Sequence, residues 1–270
     1  MLNITGKNKI LAVIGNPIEH SLSPQLHNGV ISQLNANGID CNYTYIPLKM
    51  SIDHVEFGVK GLKALGIRGC NVTVPFKEAV IPYLDEIDDY AKKIGAVNTI
   101  SLRDNKLVGF NTDALGFINS VKSKFSNFSF KNKAIAILGA GGSSKAICMA
   151  LTEEPIKSIN ILNRSINRAS QLQSHLQKLS NIEIQAHTLT TDNHSILNAA
   201  DIIINTTSVG MHPNNSRSPL TSHQCISQKH LVIDIIYNPF ESKLLYESKT
   251  KGALTMNGLG MLAGQAALYF

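Results

Sequence analysis

Residues 134–151 read AIAILGAGGSSKAICMAL. Five apolar residues with strand character, Ala134 to Leu138, run into the turn Gly139, Ala140, Gly141, Gly142, Ser143, Ser144, and a helix-compatible stretch follows from Lys145 to Leu151. Strand, glycine turn and helix in this order are the setting of a dinucleotide fingerprint. Glycine makes the turn tight and lets backbone N–H groups approach a pyrophosphate at a helix N-terminus. The sixth position is Ser144 rather than Gly or Ala, so the turn alone also reads as an ordinary loop. Its flanks favour the nucleotide reading, with Gly139, Ala140, Gly141, Gly142 and Ser143 as candidate contacts.

Downstream, strand character at Ser158–Leu162, Asp201–Asn205 and Leu231–Ile236 alternates with a helical pattern at Asn167–Leu179, as expected of a doubly wound parallel sheet. An NAD site usually places a carboxylate after the second strand, for the ribose hydroxyls. Here stand Asn163, Arg164 and Ser165, with Arg168 one helical turn on. A carboxylate would repel a 2′-phosphate, whereas two guanidiniums with an amide and a hydroxyl bind it through charge-assisted hydrogen bonds. The pattern favours NADP(H) over NAD, although an arginine pair on a solvated helix face has the same composition. Met211, in the segment after Asn205, and Gly258 are further cofactor candidates.

Upstream the chain is again α/β, with strand runs at Lys9–Ile14, Asn42–Ile46 and Ile67–Val72 and helical patterns at Pro24–Asn35 and His54–Leu65. Asn98–Leu102 and Lys106–Phe110, around Arg103, Asp104 and Asn105, read as a β-hairpin. A composition shift near residue 112 divides the chain into 1–112 and 113–257, and 258–270 is a helix expected to return to the first domain. The net charge of +6 is uneven: 11 basic and 10 acidic side chains up to residue 112, then 14 and 9. Without Lys/Arg clusters interleaved with aromatics, that excess suits a polyanionic cofactor better than nucleic acid. On charge alone, a lysine-rich chain with no specific partner fits as well. The apolar run Ile10–Ile14 is too short for a signal peptide or a membrane span, so a cytoplasmic location is expected. Cys41, Cys70, Cys148 and Cys225 form no C-x-x-C pair, which indicates neither a disulfide framework nor a zinc site, and no metal is expected.

Asn71, Thr73 and Lys77 emerge where an apolar strand gives way to loop, and Asn71 and Thr73 share one side of an extended chain. Alone, such a lysine reads as a surface residue, Asp113 as a helix N-cap, and Ser23 as a cap before Pro24. His20 and His27 read as satisfied or surface histidines. The combination is more specific. Ser21–Pro24, Asn71–Lys77, Gly95–Thr99, Asn111–Asp113, Gly139–Ser144, Asn163–Ser165, Tyr237–Pro239 and Gly258–Gln265 together resemble, in order and along nearly the whole chain, the shikimate dehydrogenase family.

The resemblance implies an N-terminal α/β substrate-binding domain, a C-terminal Rossmann domain binding NADP(H), and a cleft between them. The implied reaction is reversible reduction of 3-dehydroshikimate to shikimate, a step toward aromatic amino acids. It places the catalytic pair on Lys77 and Asp113. Lys77 would stabilise and protonate the carbonyl oxygen, and Asp113 would orient Lys77 and a neighbouring hydroxyl. Ser21 and Ser23 fall on carboxylate contacts, and Asn71, Thr73, Asn98, Tyr237 and Gln265 on the remaining substrate contacts. A homodimer is left open. The sequence departs from the family at Asn257, where an acidic residue is usual, and ends five residues after Gln265 where relatives usually run on. Two other readings share these motifs: a quinate/shikimate dehydrogenase using NAD, and a catalytically silent sensor of shikimate or NADP. The retained serine pair and the absence of an acidic residue at 163–165 argue against the first. The joint presence of Lys77 and Asp113 argues against the second.

Overall fold

In the computed structural model, which describes residues 4–268, the apolar run Lys9–Gly15 forms strand β1, its last five residues buried. Around it the chain forms β2 (Tyr43–Lys49), β3 (Gly69–Val72), β4 (Glu86–Ile87), β5 (Thr99–Arg103) and β6 (Lys106–Phe110). These make a mixed sheet of order β2-β1-β3-β5-β6-β4, in which β1 is parallel to both β2 and β3 and β5 is antiparallel to β3 and β6. The predicted hairpin is β5–β6. Its turn is shorter than the sequence suggests, because Arg103 pairs with Lys106 and only Asp104 and Asn105 are left to close it. Both have positive φ, 46° and 59°, as a two-residue turn matched to strand twist requires.

Helix α1 (Ser23–Ala36) covers one face of this sheet through Ile31, which packs with Leu11, Val13 and Tyr45. Helix α2 (Val55–Ala64) buries Val55, Val59 and Leu62, spaced for one helical face, against the other. The short α3 (Asp89–Ile94) is held at its start by the Asp88 carboxylate, which accepts from Tyr90 N and Ala91 N, and ends on Gly95 at φ 70°. The expected cap on α1 is not there: Ser23 lies inside the helix, whose N-cap is Leu22 with no side-chain bond. Pro24 in the first turn has no N–H to satisfy, and the Ser21 hydroxyl accepts from Ser23 N at 3.3 Å.

The chain divides into two compact units, one comprising the sequence up to Thr112 with the end from Gln265, the other Asp113–Gly264. In the second unit, β7 (Ala134–Leu138), β8 (Ser158–Asn163), β9 (Glu183–Thr188), β10 (Ile202–Asn205), β11 (Leu231–Asp234) and β12 (Leu254–Met256) form an all-parallel sheet of order β12-β11-β10-β7-β8-β9. Numbered within the unit, this is 6-5-4-1-2-3, the doubly wound order whose switch point lies between β7 and β10. Apart from Ala134 at the start of β7, the central strands β7, β10 and β11 are buried, which is why they are nearly pure runs of Ile, Leu, Val and Ala. Helices α4 (Asp113–Lys124), α5 (Gly142–Thr152), α6 (Ile166–Gln177), α7 (His194–Ala199), α8 (Lys243–Thr250) and α9 (Leu259–Ala267) complete the chain, α9 running across the division between the units. Among the described residues no helix is long and apolar enough to cross a membrane.

The carboxyl ends of β10 and β11 are tied by a buried polar cluster. Asn205 Nδ2 and Ile236 N donate to Asp234 Oδ1 at 2.9 and 3.1 Å, and Ser242 Oγ donates to Oδ2 at 2.5 Å. Asn205 Oδ1 in turn accepts from the backbone and hydroxyl of Thr207. Desolvation nevertheless dominates and raises the Asp234 carboxyl to about 6. The folded chain therefore holds this proton more tightly than the unfolded chain, a contribution to stability that is present below about pH 4 and lost as pH rises through about 6. Asp234→Asn keeps the acceptor oxygen and can donate to Ser242, but has no proton to lose. The wild-type unfolding free energy relative to that variant, from urea titrations, is expected to fall by about 2–3 kcal/mol between pH 4 and 7. A difference that stays constant over this range contradicts the assignment.

Candidate active site

At the end of β7, Gly139 has φ +114°, and a Cβ there would sit 2.5 Å from Thr206 Oγ1, so backbone and space both require glycine. Gly141 is the N-cap of α5 and supplies no side-chain cap, and a Cβ on it would meet nothing within 4 Å. The start of α5 therefore has no side-chain cap and open space beside Gly141, an arrangement suited to a phosphate. Ala140 is buried and Gly142 and Ser143 are half-buried in the same turn. Ser144 is fully buried, and its hydroxyl donates to Gly139 O at 2.8 Å. The unusual sixth residue of the fingerprint thus braces the turn from behind.

The next strand, β8, ends at Asn163, whose Nδ2 donates to Ser165 O at 2.9 Å. Arg164, Ser165 and Arg168 are exposed, and among the described residues neither guanidinium has an ion-pair partner. No carboxylate stands among residues 163–168. A glycine cradle with open space in front of a helix, followed by two uncommitted guanidiniums, fits a dinucleotide carrying a 2′-phosphate. The segment after β10 borders the switch point; it contains the half-buried Met211 and turns on Gly210 at φ +99°. His212 N donates to Asn238 O at 3.1 Å, which ties this segment to the half-buried Tyr237 after β11.

Gly258 is packed against the chain: a Cβ there would lie 1.9 Å from Ile235 O. Beside it, Asn257 Oδ1 accepts from Leu259 N at 3.2 Å and its Nδ2 donates to Phe240 O at 2.9 Å. The amide thus supplies the acceptor at the start of α9 that a carboxylate would, together with a donor bond a carboxylate could not make.

In the first unit, the parallel pairing of β1 with β3 brings their carboxyl ends to one edge of the sheet. Ser21 and Ser23 follow β1, and Thr73 and Lys77 follow β3, with Asn71 inside it. Antiparallel β5 starts where β3 finishes, so Asn98 joins them, its carbonyl accepting from Val72 N at 2.8 Å. Ser23, Asn71 and Asn98 are buried, while Ser21, Thr73 and Lys77 are half-buried. The loop bearing Lys77 is anchored by the fully buried Phe76, a burial contributing about 2–3 kcal/mol, and by Lys77 O, which accepts from Val97 N at 2.7 Å.

Asn98 Oδ1 accepts from Thr112 N at 2.9 Å and Thr99 Oγ1 at 3.0 Å, and Nδ2 donates to Thr112 Oγ1 at 3.0 Å. Gln265, buried in α9, groups with this unit, whereas Asp113, buried at the start of α4, belongs to the other. His27, expected to be satisfied or on the surface, is fully buried and stacked on Tyr45, and burial lowers its imidazole to about 4, which keeps the ring neutral. Tyr45, Thr99 and Thr112 hold the candidate amides, a role that strand-like residues do not announce in sequence.

Residues 13–100 match the family model of the shikimate dehydrogenase substrate binding domain, and residues 119–239 match that of shikimate / quinate 5-dehydrogenase. A shikimate dehydrogenase (NADP(+)) of Methanosphaera stadtmanae is 43% identical over 267 residues, covering 99% of this chain and 92% of that protein. A crystal structure of a shikimate dehydrogenase in complex with NADP+ aligns with a TM-score of 0.86 at 37% identity, covering 99% of this chain and 90% of that one. The Thermus thermophilus shikimate 5-dehydrogenase, in complex with NADP(H) and shikimate, aligns with a TM-score of 0.81 at 32% identity over 97% of this chain and 92% of that one.

The close approach at Gly258 is directly testable. Gly258→Ala forces backbone apart, at a cost of about 3 kcal/mol, and is expected to lower the melting temperature by roughly 5–10 °C in a thermal scan. An unchanged melting temperature contradicts the packing.

Proposed function

The chain belongs to the shikimate dehydrogenase family, and from that premise we propose how its residues divide the NADPH-dependent reduction of 3-dehydroshikimate to shikimate. The observation that carries the reading is the gathering of Ser21, Ser23, Asn71, Thr73, Lys77 and Asn98 at one sheet edge, in a chain that also holds a glycine cradle and two uncommitted arginines. Ser21 and Ser23 offer hydroxyl donors to the ring carboxylate. Asn71, Thr73, Asn98, Tyr237 and Gln265 pair the ring hydroxyls and the carboxylate. Neutral partners of this kind suit a polyol, since a site that pairs each hydroxyl rejects analogues lacking one.

Gly139, Ala140, Gly141, Gly142 and Ser143 would hold the pyrophosphate, Asn163, Arg164, Ser165 and Arg168 the 2′-phosphate, and Met211 and Gly258 the nicotinamide end. Bound NADPH supplies the hydride. As the carbonyl becomes an alkoxide, the Lys77 ammonium offsets the growing negative charge and gives the oxygen its proton. Asp113 orients Lys77 and the adjacent substrate hydroxyl. In the reverse direction Lys77 takes the proton back. Residues 1–112 with the chain end form the substrate domain in this reading, and 113–257 the nucleotide domain.

The protein is expected to oxidise shikimate with NADP, followed as NADPH absorbance, and Lys77→Ala should lower kcat by at least about 100-fold while changing shikimate KM less than about tenfold. Absence of turnover with shikimate or quinate and either cofactor overturns the reading. Arg164→Ala should raise the KM for NADP about tenfold and leave that for NAD within about twofold, because only NADP carries the 2′-phosphate. Equal loss with both cofactors removes Arg164 from that role.

A further inference from the structure

Tyr45, in the middle of β2 and 1% exposed, is held by α1 in three ways. Asn28 Nδ2 donates to Tyr45 O at 2.8 Å, Tyr45 N donates to Asn28 Oδ1 at 2.9 Å, and the His27 ring lies flat on the phenol, centroids 4.2 Å apart and planes within 1°. Register puts Tyr45 opposite Leu11 and Asn71 opposite Val13, so both side chains lie on the sheet face that α1 covers. There the phenol donates to Asn71 Oδ1 at 2.6 Å. The other end of the amide, Nδ2, is 3.5 Å from Asn98 O and 3.4 Å from Thr99 Oγ1. A main-chain carbonyl can only accept, so the nitrogen must be on that side, and the two contacts leave the Asn71 amide one orientation.

We propose that Tyr45 is a positioning residue that sets substrate specificity: by occupying the Asn71 carbonyl, it commits that side chain to meet the ligand only as a hydrogen-bond donor. One amide hydrogen is shared between Asn98 O and Thr99 Oγ1, and the other serves the ligand. A ring hydroxyl or carbonyl oxygen satisfies this donor. A ring ammonium in the same place does not, since it has no lone pair to offer. Without the phenol, the amide is held only by the two longer contacts to Asn98 O and Thr99 Oγ1, so its carbonyl is left open, its aim at the ligand loosens and the discrimination weakens. The inference rests on the reading that Asn71 contacts the substrate.

The test compares wild type, Tyr45→Phe and Asn71→Ala in steady state, with shikimate and with the two analogues that each lack one of its non-reacting ring hydroxyls. Tyr45→Phe is expected to raise shikimate KM about tenfold, leave the KM for NADP within about twofold, and shrink the penalty for one analogue while preserving that for the other. A purely structural role would weaken all three substrates alike, and that result, or an unchanged shikimate KM, overturns the proposal. If Asn71→Ala itself leaves shikimate KM unchanged, the contact assignment has failed and takes the proposal with it. Asn71→Asp tests the same idea should Tyr45→Phe not fold, because Tyr45 keeps its acceptor while the ligand now faces a second one. It should bind shikimate no better than Asn71→Ala, and tighter binding refutes the donor assignment.

Discussion

A polar group at the carboxyl end of a buried strand must be paired within the protein before it can serve a ligand, and both units are organised around that constraint. An unpaired amide or carboxylate in such a place costs about 1–3 kcal/mol. In the substrate unit, Asn71 and Asn98 meet the requirement through Tyr45, Thr99 and Thr112. In the nucleotide unit, Asn205 and Asp234 meet it through each other, Thr207 and Ser242. In each case the pairing that lowers the cost also aims the group or the loop beside it. Stability and the aim of these groups are therefore carried by the same hydrogen bonds.

The strand ends come together because the pairing is parallel. Parallel β1 and β3 gather the turns after them on one edge, and all six strands of the second sheet do the same for the glycine turn, the arginine loop and the Thr206–Met211 segment. The topology supplies the edge, and the local chemistry of each turn decides what that edge can bind.

Much of this is legible in the sequence where the signal is local. The buried central strands β7, β10 and β11 stand out as apolar runs, and the glycine turn and its arginine pair are contiguous stretches. Edge strands are harder to read. Glu183–Thr188 alternates polar residues on a half-covered sheet edge, and Leu254–Met256 is three residues long, so neither leaves a clear pattern. The cap expected at Ser23 fails because the helix starts one residue earlier, so Ser23 is inside it with Leu22 at the N-cap, and the Ser23 N–H is taken by the Ser21 hydroxyl. Partnerships between distant positions leave no mark at all. Nothing around Tyr45 announces Asn71, 26 residues away, or the ring of His27 beneath it.

The arginines after β8 differ in kind from the glycine turn before it. Gly139 and Ser144 are locked to the backbone and to each other, so a change there disturbs the turn and the packing behind it together. Arg164 and Arg168 reach into solvent and hold up no part of the core. Replacing either one removes charge without opening a cavity in the sheet. Charge at this edge of the sheet is thus carried by side chains that the fold does not need, while the shape of the glycine turn is a condition of the fold itself.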